Sequence, residues 1–223
     1  KGNIHTKFLI DKYGANDETS VTHREVFFDI EIEIGGALTD KYIKSAPMPV
    51  TSIAWWDKQA DQWAIIILDK TGEIKAGMQD GREIIPVKRE TDLLEIFLAR
   101  MEAIQPDILV GYNSDYFDIP YLYYRIKRIF GTSGKRMVKR LSPIGIVEER
   151  NWNPDQPIRI AGVASLDYMR LHKKYSFQQE PSMKLDFLGE KYVGQKKIEY
   201  DGSLDRLFAE DKQKFIEYNF VDV

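Results

Sequence analysis

The sequence predicts an α/β fold in which helices flank a mixed β-sheet, and three observations lead to this prediction. Residues 26–34 alternate apolar and polar side chains, as a strand with one buried face does. Two β-rich runs separated by a polar turn follow, as expected of a hairpin. A helical pattern at residues 90–104 then precedes a short apolar run that is typical of a buried strand. Strand, hairpin, helix and strand in this order indicate a layered α/β domain.

Length and composition limit the kinds of protein that this chain can be. Its 223 residues suffice for one large domain or two small ones with a real core. A formal net charge of −3 argues against histone-like binding of nucleic acid, although it permits a local basic groove. No apolar run approaches the length of a membrane span, and no signal peptide is recognisable.

The scarcity of sulfur and imidazole ligands restricts any metal site to oxygen ligands. The sequence contains no cysteine and only three histidines, which are widely separated. Disulfides and thiolate zinc sites are therefore excluded, and a cysteine-free chain suits the cytoplasm. Carboxylate ligands favour magnesium, manganese or calcium.

The remaining elements follow from turn signals and periodicity. Residues 1–23 are expected to form a lead-in and residues 24–223 a domain. Gly35 and Gly36 end the first strand and open a loop that reaches residue 49. Further strands are expected at residues 50–56, 63–68, 83–87 and 108–112, with a hairpin formed by residues 144–149 and 158–163. Helices are expected at residues 90–104, 119–130, 166–175, 184–192, 204–208 and 211–223.

The polar face of the first strand carries three carboxylates, those of Asp29, Glu31 and Glu33. Alternate residues in a strand lie about 7 Å apart, so these groups form a row of like charge. Such a row is unfavourable unless water or cations neutralise it. The strand by itself is equally consistent with a solvated sheet face and with a metal site.

A second group of polar residues follows the strand at residues 108–112, where α/β sheets commonly carry their functional sites. Asn113, Phe117 and Asp118 lie in this loop or at the start of the next helix. Asp118 could also be the N-cap of that helix, with Pro120 in the first turn. The sequence of this segment alone slightly favours the capping role.

The third stretch lies in the last helical segment, where Tyr218 and Asp222 are four residues apart. This spacing puts both side chains on one helix face, about one turn from each other. By itself, it favours two ordinary surface residues near a helix end.

Residues 125–140 contain seven lysines and arginines and no acidic residue. One interpretation is a solvated basic face. The other is a rim that contacts nucleic-acid phosphates.

Taken in order, the three acidic stretches resemble the three exonuclease motifs of family B DNA polymerases. These motifs are Asp-x-Glu on a strand, Asn-x4-Asp at a helix start and Tyr-x3-Asp late in a helix. The resemblance is closest to the replicative polymerases of tailed bacteriophages and covers roughly residue 24 to the end. Flanking stretches that support it lie at residues 140–143, 166–169, 173–177, 181–186 and 215–219.

The resemblance implies a ribonuclease H-like fold and a proofreading 3′-5′ exonuclease that uses two divalent cations, Mg²⁺ or Mn²⁺. Asp29, Glu31 and Asp222 would ligate metal, and Asp118 would hold the second metal directly or through water. Tyr218 would orient the attacking water, because an ordinary tyrosine pKa of about 10 makes a poor base at neutral pH.

Substrate contacts are also implied by the resemblance. Asn113 and Phe117 match positions near the terminal nucleotides in this family. The hairpin tip at residues 151–155 resembles a loop that helps to separate the primer end from the template. The expected partners are the 3′ end of single-stranded DNA and the polymerase domains of a longer chain, with this domain monomeric and located in the host cytoplasm if the source is a phage.

Departures from the family pattern leave alternatives open. Glu31 and Glu33 form a second possible ligand pair. The 223-residue sequence contains no polymerase palm motif, so we expect that this stretch of chain does not synthesise DNA. Two other function classes remain: a nuclease of the same fold that acts on RNA or damaged ends, and a nucleic-acid-binding module that does not cut. The polymerase-like flank at residues 173–177 and the hairpin count against the first, and the complete set of acids with the tyrosine counts against the second.

Overall fold

The computed structural model describes residues 22–33, 35–176, 180–195 and 198–223, which form a mixed sheet flanked by helices. The strands are β1 (Glu25–Ile32), β2 (Val50–Asp57), β3 (Gln62–Leu68), β4 (Gly77–Gln79), β5 (Arg82–Val87), β6 (Ile108–Gly111), β7 (Val147–Glu149), β8 (Ile158–Ile160) and β9 (Ala164–Asp167). Seven of them form one sheet in the order β4-β5-β3-β2-β1-β6-β9, while β7 and β8 form a separate hairpin.

The helices pack on both faces of the large sheet or extend from its edge. They are α1 (Asp40–Ser45), α2 (Glu90–Ile104), α3 (Asp118–Phe130), α4 (Gly134–Val138), α5 (Tyr168–Tyr175), α6 (Leu185–Val193), α7 (Leu204–Glu210) and α8 (Lys212–Asp222). Short 3-10 turns at Gly131–Ser133 and Lys139–Leu141 flank α4. No helix in the described part of the chain has the length and apolar character that crossing a membrane requires.

Strand β1 lies inside the sheet and pairs along both edges. It runs antiparallel to β2, with Asp29 opposite Ala54 and Glu31 opposite Ser52. It runs parallel to β6, but that pairing reaches only as far as Phe27. The β6-facing edge of β1 beyond Phe27 is therefore accessible to groups other than a strand.

The two faces of the sheet carry separate hydrophobic cores. The larger core joins the buried residues of β1 to α2 and α3, as at Phe28, Phe97 and Ile126. The smaller core lies between the opposite face and helices α7 and α8, with Ile65 and Phe215 among its members. The acidic residues of β1 point to the second face.

The predicted fold class is confirmed, and several elements have nearly the predicted bounds. Helix α2 begins and ends at the predicted residues, and its apolar face is buried, as seen at Leu94, Leu98 and Met101. The predicted hairpin of β2 and β3 and the second hairpin of β7 and β8 are also present.

Four short elements differ from the prediction, and one of them is helix α4, which lies where no helix was expected. Helix α1 lies within the expected loop, where Thr39 accepts a hydrogen bond from the Tyr42 amide and Ala46 ends the helix in a left-handed conformation. Strand β9 occupies the start of the segment predicted to be helical, because it pairs with β6. Strand β4 has three residues and pairs with β5. Elements this short carry too little periodicity to be predicted.

Parts of the predicted stretches lie outside the described residues. These are most of the lead-in, Ile34 at the end of the predicted first strand, and Phe177 in one of the supporting flanks.

Candidate functional site

Strand β1 presents Asp29 and Glu31 side by side on the face of the sheet that α8 covers. The exposure of successive residues alternates along the whole of β1. Val26, Phe28 and Ile30 are buried, while the two acids are half-buried. This is the predicted period-two pattern, which the large core enforces by burying every second residue. A register shift between Glu31 and Ile32 disrupts the ladder next to the acids.

Helix α8 brings Tyr218 and Asp222 to the same place. Asp211 is its N-cap and accepts a hydrogen bond from the Lys214 amide at 2.9 Å. Phe215 packs into the smaller core, and Tyr218 is 4% exposed on the same side of the helix. The side chains of Tyr218 and Asp222 are hydrogen-bonded to each other, which confirms the prediction that they share a helix face. Tyr218 is a buried residue rather than an ordinary surface one.

Asp29, Glu31 and Asp222 together form a cluster that we call the acidic triad. One carboxylate oxygen from each residue lies within 4.8 Å of the other two, and all three side chains are half-buried. Three anionic oxygens in so small a volume are a suitable donor set for a hard divalent cation such as Mg²⁺ or Mn²⁺. The chemistry of these donors therefore fits the implied metal.

Glu33 lies outside the acidic triad. Its carboxylate is 3.9 Å from the Lys70 ammonium, and its backbone amide donates to the Pro49 carbonyl. The geometry thus favours Asp29 with Glu31 over the alternative pair of Glu31 with Glu33.

Tyr218 borders the triad as a neutral hydroxyl. Burial raises its pKa far above the ordinary value, and the negative charges of Asp222 and Glu31 raise it further. A hydrogen bond to the Asp222 carboxylate acts in the same direction. Tyr218 therefore remains protonated at neutral pH and can serve as a hydrogen-bonding group but not as a general base.

Asp118 approaches β1 from the edge that β6 leaves unpaired. Its Oδ1 accepts a hydrogen bond from the amide of Ile30, which lies between the two acids of the strand, at 3.2 Å. The side chain is buried, being 3% exposed. Burial raises the pKa of Asp118 to about 7, the Ile30 bond opposes this shift, and the charge of Asp167 adds to it.

The capping role considered for Asp118 is wrong. Asp118 is the first residue of α3, and Phe117 occupies the N-cap position. The Asp118 carboxylate is not a member of the acidic triad, so its role as a ligand of a second metal stays a prediction.

The loop between β6 and α3 holds Asn113 and Phe117, the two predicted substrate-binding residues. Asn113 has a φ of 60°, a left-handed conformation that asparagine tolerates. The Phe117 ring packs 5.4 Å from that of Tyr121. A Cβ on Gly111 would lie 2.7 Å from the Cβ of Ser114, so only glycine lets this loop turn so tightly. Contact of Asn113 and Phe117 with a nucleotide stays a prediction.

Asp167 organises this loop and was missed in the sequence analysis. Its carboxylate accepts hydrogen bonds from the amides of Asn113 and Asp115 at 3.0 and 3.2 Å. It also caps α5 by accepting from the amides of Met169 and Arg170. An aspartate directly before a helix was the available signal, but the helix was predicted to begin at residue 166, two residues before its observed start at Tyr168.

The basic run at residues 125–140 is not a continuous rim. Arg125 is buried and forms a bidentate ion pair with Glu90, with nitrogen–oxygen distances of 2.7 and 2.6 Å. Arg140 pairs with Glu102 in the same way. For Arg125 the phosphate-contact interpretation is wrong, because its guanidinium is buried within the fold. For Arg140, which is only partly buried, phosphate contact stays a prediction. Lys135, Arg136 and Lys139 are exposed.

The hairpin of β7 and β8 is connected to the site loop through one arginine. Arg170 on α5 donates to the Asp115 carboxylate at 3.1 Å and to the Asp155 carbonyl at 2.8 Å. Asp155 belongs to the predicted tip, and Asp115 belongs to the loop before α3. Trp152 at the tip is 77% exposed, with the Arg150 guanidinium 5.4 Å from its ring centre.

Comparison with known proteins identifies the family to which the chain is similar. The model of the family "DNA polymerase family B, exonuclease domain" matches residues 5–188. The DNA-directed DNA polymerase of Escherichia phage RB69 is 32% identical over 246 residues, which cover 97% of this chain and 26% of that protein. That of Enterobacteria phage T4 is 32% identical over 176 residues, covering 77% of this chain and 19% of the relative.

A eukaryotic relative is also similar over a shorter stretch. The DNA polymerase delta catalytic subunit of Dictyostelium discoideum is 28% identical over 115 residues, covering 52% of this chain and 10% of that protein. The chain spans 26% or less of the length of these three relatives. The family match over most of the chain, with the phage relatives, shows that the chain belongs to the exonuclease domains of family B DNA polymerases.

Proposed function

We propose that this chain is a proofreading 3′-5′ exonuclease, which hydrolyses the terminal phosphodiester of single-stranded DNA with the aid of two divalent cations, Mg²⁺ or Mn²⁺. The observation that carries the proposal is the acidic triad of Asp29, Glu31 and Asp222, which joins a central strand to a distant helix. Within the proposal, residues 24–223 are the exonuclease domain of a longer DNA polymerase, and residues 1–23 are a lead-in to it.

The acidic triad would hold the metal in this proposal. Its three half-buried carboxylates carry the negative charge that a hard cation requires, from two elements that the core keeps rigid. The chemistry supplied by two bound cations would be activation of water and neutralisation of charge on the phosphodiester. Asp118 would support the second cation from the edge of β1, directly or through water.

Tyr218 would orient the attacking water. Its hydroxyl is bound to Asp222 and stays protonated, so it can hold a water molecule by hydrogen bonding without removing a proton. This agrees with the role that the family resemblance implies for it. Asn113 and Phe117 would contact the terminal nucleotides from the loop that Asp167 organises.

The acidic triad also argues against one of the two alternative functions and leaves the other to experiment. A module that binds without cutting would have no need to bring three carboxylates together, because anionic side chains repel a phosphate backbone. A nuclease that acts on RNA would use the same acids, so the substrate has to be distinguished by experiment. The proposed partners are a single-stranded DNA 3′ end and polymerase domains, with the fragment monomeric and cytoplasmic, in the host cytoplasm if the source is a phage.

The direct test uses a single-stranded DNA labelled at its 5′ end. We expect the 223-residue chain with Mg²⁺ or Mn²⁺ to shorten it one nucleotide at a time from the 3′ end, and EDTA to stop the reaction. An RNA of the same sequence tests the alternative substrate, and primer–template DNA with dNTPs tests for synthesis. Release of the 5′ label as the first product, preference for RNA, or cleavage in EDTA would contradict the proposal.

A further inference from the structure

We propose that a buried hydrogen bond between Ser52 and Asn219 sets the position of Asp222 over β1. Ser52 and Asn219 would then be positioning residues for the acidic triad. This inference rests on the proposed function. Neither residue belongs to the triad, and neither side chain reaches solvent.

The two residues join the helix to the sheet at the level of the triad. Ser52 is on β2, directly opposite Glu31, and Asn219 follows Tyr218 on α8. The Ser52 hydroxyl donates to Asn219 Oδ1 at 2.6 Å, and Asn219 Nδ2 donates to the Phe215 carbonyl at 2.7 Å. Both side chains are 0% exposed, so the bond is shielded from competing water.

The rest of this interface defines the helix position less sharply. Around the pair, α8 packs through apolar side chains such as Phe215 and Ile216. Apolar contact is non-directional, whereas a hydrogen bond requires a defined distance and angle. A slip of one residue would translate α8 by about 1.5 Å and rotate its side chains by about 100°. Such a slip would remove Asp222 from the triad.

Two other polar contacts of α8 lie away from Glu31. Lys212 binds the buried Asp69 at the first turn, at 2.9 Å, and lies ten residues before Asp222. Arg82 binds Glu217 on the partly exposed side of the helix. The Ser52–Asn219 bond, by contrast, is buried and lies on the strand residue directly opposite Glu31, at the level of the triad.

Stability alone does not account for this pair. Replacing both partners of a buried hydrogen bond with apolar groups of similar shape is often nearly neutral. The neighbour of Ser52 on the same face of β2 is Ala54, an apolar residue of similar size that packs in the smaller core. An all-apolar contact is thus compatible with this surface, and the polar pair adds direction.

The test measures binding of Mn²⁺ alone to the 223-residue chain, by electron paramagnetic resonance titration, alongside the melting temperature in EDTA. The variants are Ser52→Ala, Asn219→Ala, the double variant and Ser52→Cys, which nearly keeps the volume of serine but has only a weak S–H donor. Ser142→Ala is the matched control, because the Ser142 hydroxyl also donates at 2.6 Å to a buried partner, the Ala161 carbonyl at the base of the hairpin. Asp29→Asn removes one carboxylate of the triad, so the Mn²⁺ binding that this variant loses is the binding at the triad.

We expect Ser52→Ala and Asn219→Ala each to weaken Mn²⁺ binding about tenfold or more, as loss of supporting contacts around metal ligands does. The double variant should bind no more weakly than the worse single variant, because both changes remove one interaction. Ser52→Cys should lose affinity in the same direction, which keeps the test decisive if Ser52→Ala does not fold. Ser142→Ala should lower the melting temperature and leave Mn²⁺ affinity within about twofold of wild type.

Wild-type Mn²⁺ affinity in Ser52→Ala and Ser52→Cys, with melting temperatures lowered as in Ser142→Ala, would overturn the inference and leave the proposed function intact. Unchanged Mn²⁺ binding in Asp29→Asn would instead overturn the metal cluster itself, and the positioning role with it.

Discussion

The two faces of the sheet differ in how they are built and in what they carry. The face toward α2 and α3 is filled with large apolar side chains, such as Phe28, Phe97 and Leu98, that are almost fully buried. The opposite face is covered by α7 and α8 over a smaller core, and it carries half-buried acids next to buried polar residues. The first face is thus almost entirely apolar, whereas the second combines a smaller apolar core with a cluster of carboxylates.

This division explains why β1 alternates so strictly. Each buried residue that anchors the strand in the large core sets the direction of the acid beside it. The large core thereby fixes the direction of the carboxylates of Asp29 and Glu31. The following predictions test the separation of the two faces.

Phe97→Ala should have the largest effect, and only on stability. Phe97 on α2 is 1% exposed in the large core, so its truncation leaves a cavity that costs about 3–5 kcal/mol. Chemical denaturation followed by circular dichroism measures this loss. Cleavage per folded molecule should be unchanged, and a matching loss of cleavage in the folded fraction would show that the two faces are not separate.

Asp29→Asn should lower cleavage without lowering stability, the opposite of Phe97→Ala. Removal of a proposed metal ligand should lower cleavage by more than about a hundredfold, the upper end of what loss of a supporting contact costs. The melting temperature in EDTA should stay level or rise, because one of three crowded charges is removed. Initial rates on 5′-labelled DNA measure the first effect. Cleavage near the wild-type rate would remove Asp29 from the site.

Asp118→Asn should separate catalysis from stability through pH. Because the pKa of Asp118 is raised to about 7, the folded protein keeps a proton that the unfolded chain loses in the acidic range. Metal-free stability should therefore fall as pH rises from about 4 to 7, and the full cost of the buried charge should be present at pH 8.

The asparagine variant keeps the oxygen that accepts from Ile30 but cannot ionise. In EDTA at pH 8, it should melt several degrees above wild type, and this gain should nearly vanish at pH 5. Cleavage should fall by orders of magnitude if Asp118 supports the second cation. Near-normal cleavage in Asp118→Asn would exclude a role in holding the second cation, and Asp118 would then have only the structural role of binding the Ile30 amide.

Neutralising the exposed end of the basic run should have the smallest effect. Lys135, Arg136 and Lys139 lie beyond the C-terminal end of α3, while Asp118 is its first residue. Thirteen helical residues separate the two ends by about 20 Å. The triple alanine variant should bind single-stranded DNA with an unchanged salt dependence. A log–log slope reduced by about 0.7 per residue would show that they contact phosphates.

Local pattern in the sequence determined the elements and much of the candidate site. Period-two alternation was sufficient to place Asp29 and Glu31 on one face of β1, and a helical spacing placed Tyr218 beside Asp222. Helix α2 was predicted to the residue, because fifteen residues give a strong periodic signal. These features depend only on neighbours within a few residues, which the sequence contains directly.

What only the tertiary structure decided is which of these local elements meet. Asp222 joins Asp29 across 193 positions of the chain because α8 docks on β1 and β2. The hydrogen bond that joins α8 to β2 beside Glu31 is formed by Ser52 and Asn219, which carry no distinctive sequence signal. Asp118 binds Ile30 rather than capping its helix because β6 ends early beside β1. Arg125 belongs to the core rather than to a basic rim because Glu90 lies opposite it. Long-range contacts of this kind arise from strand order and helix docking, and periodicity within a short window contains no information about either.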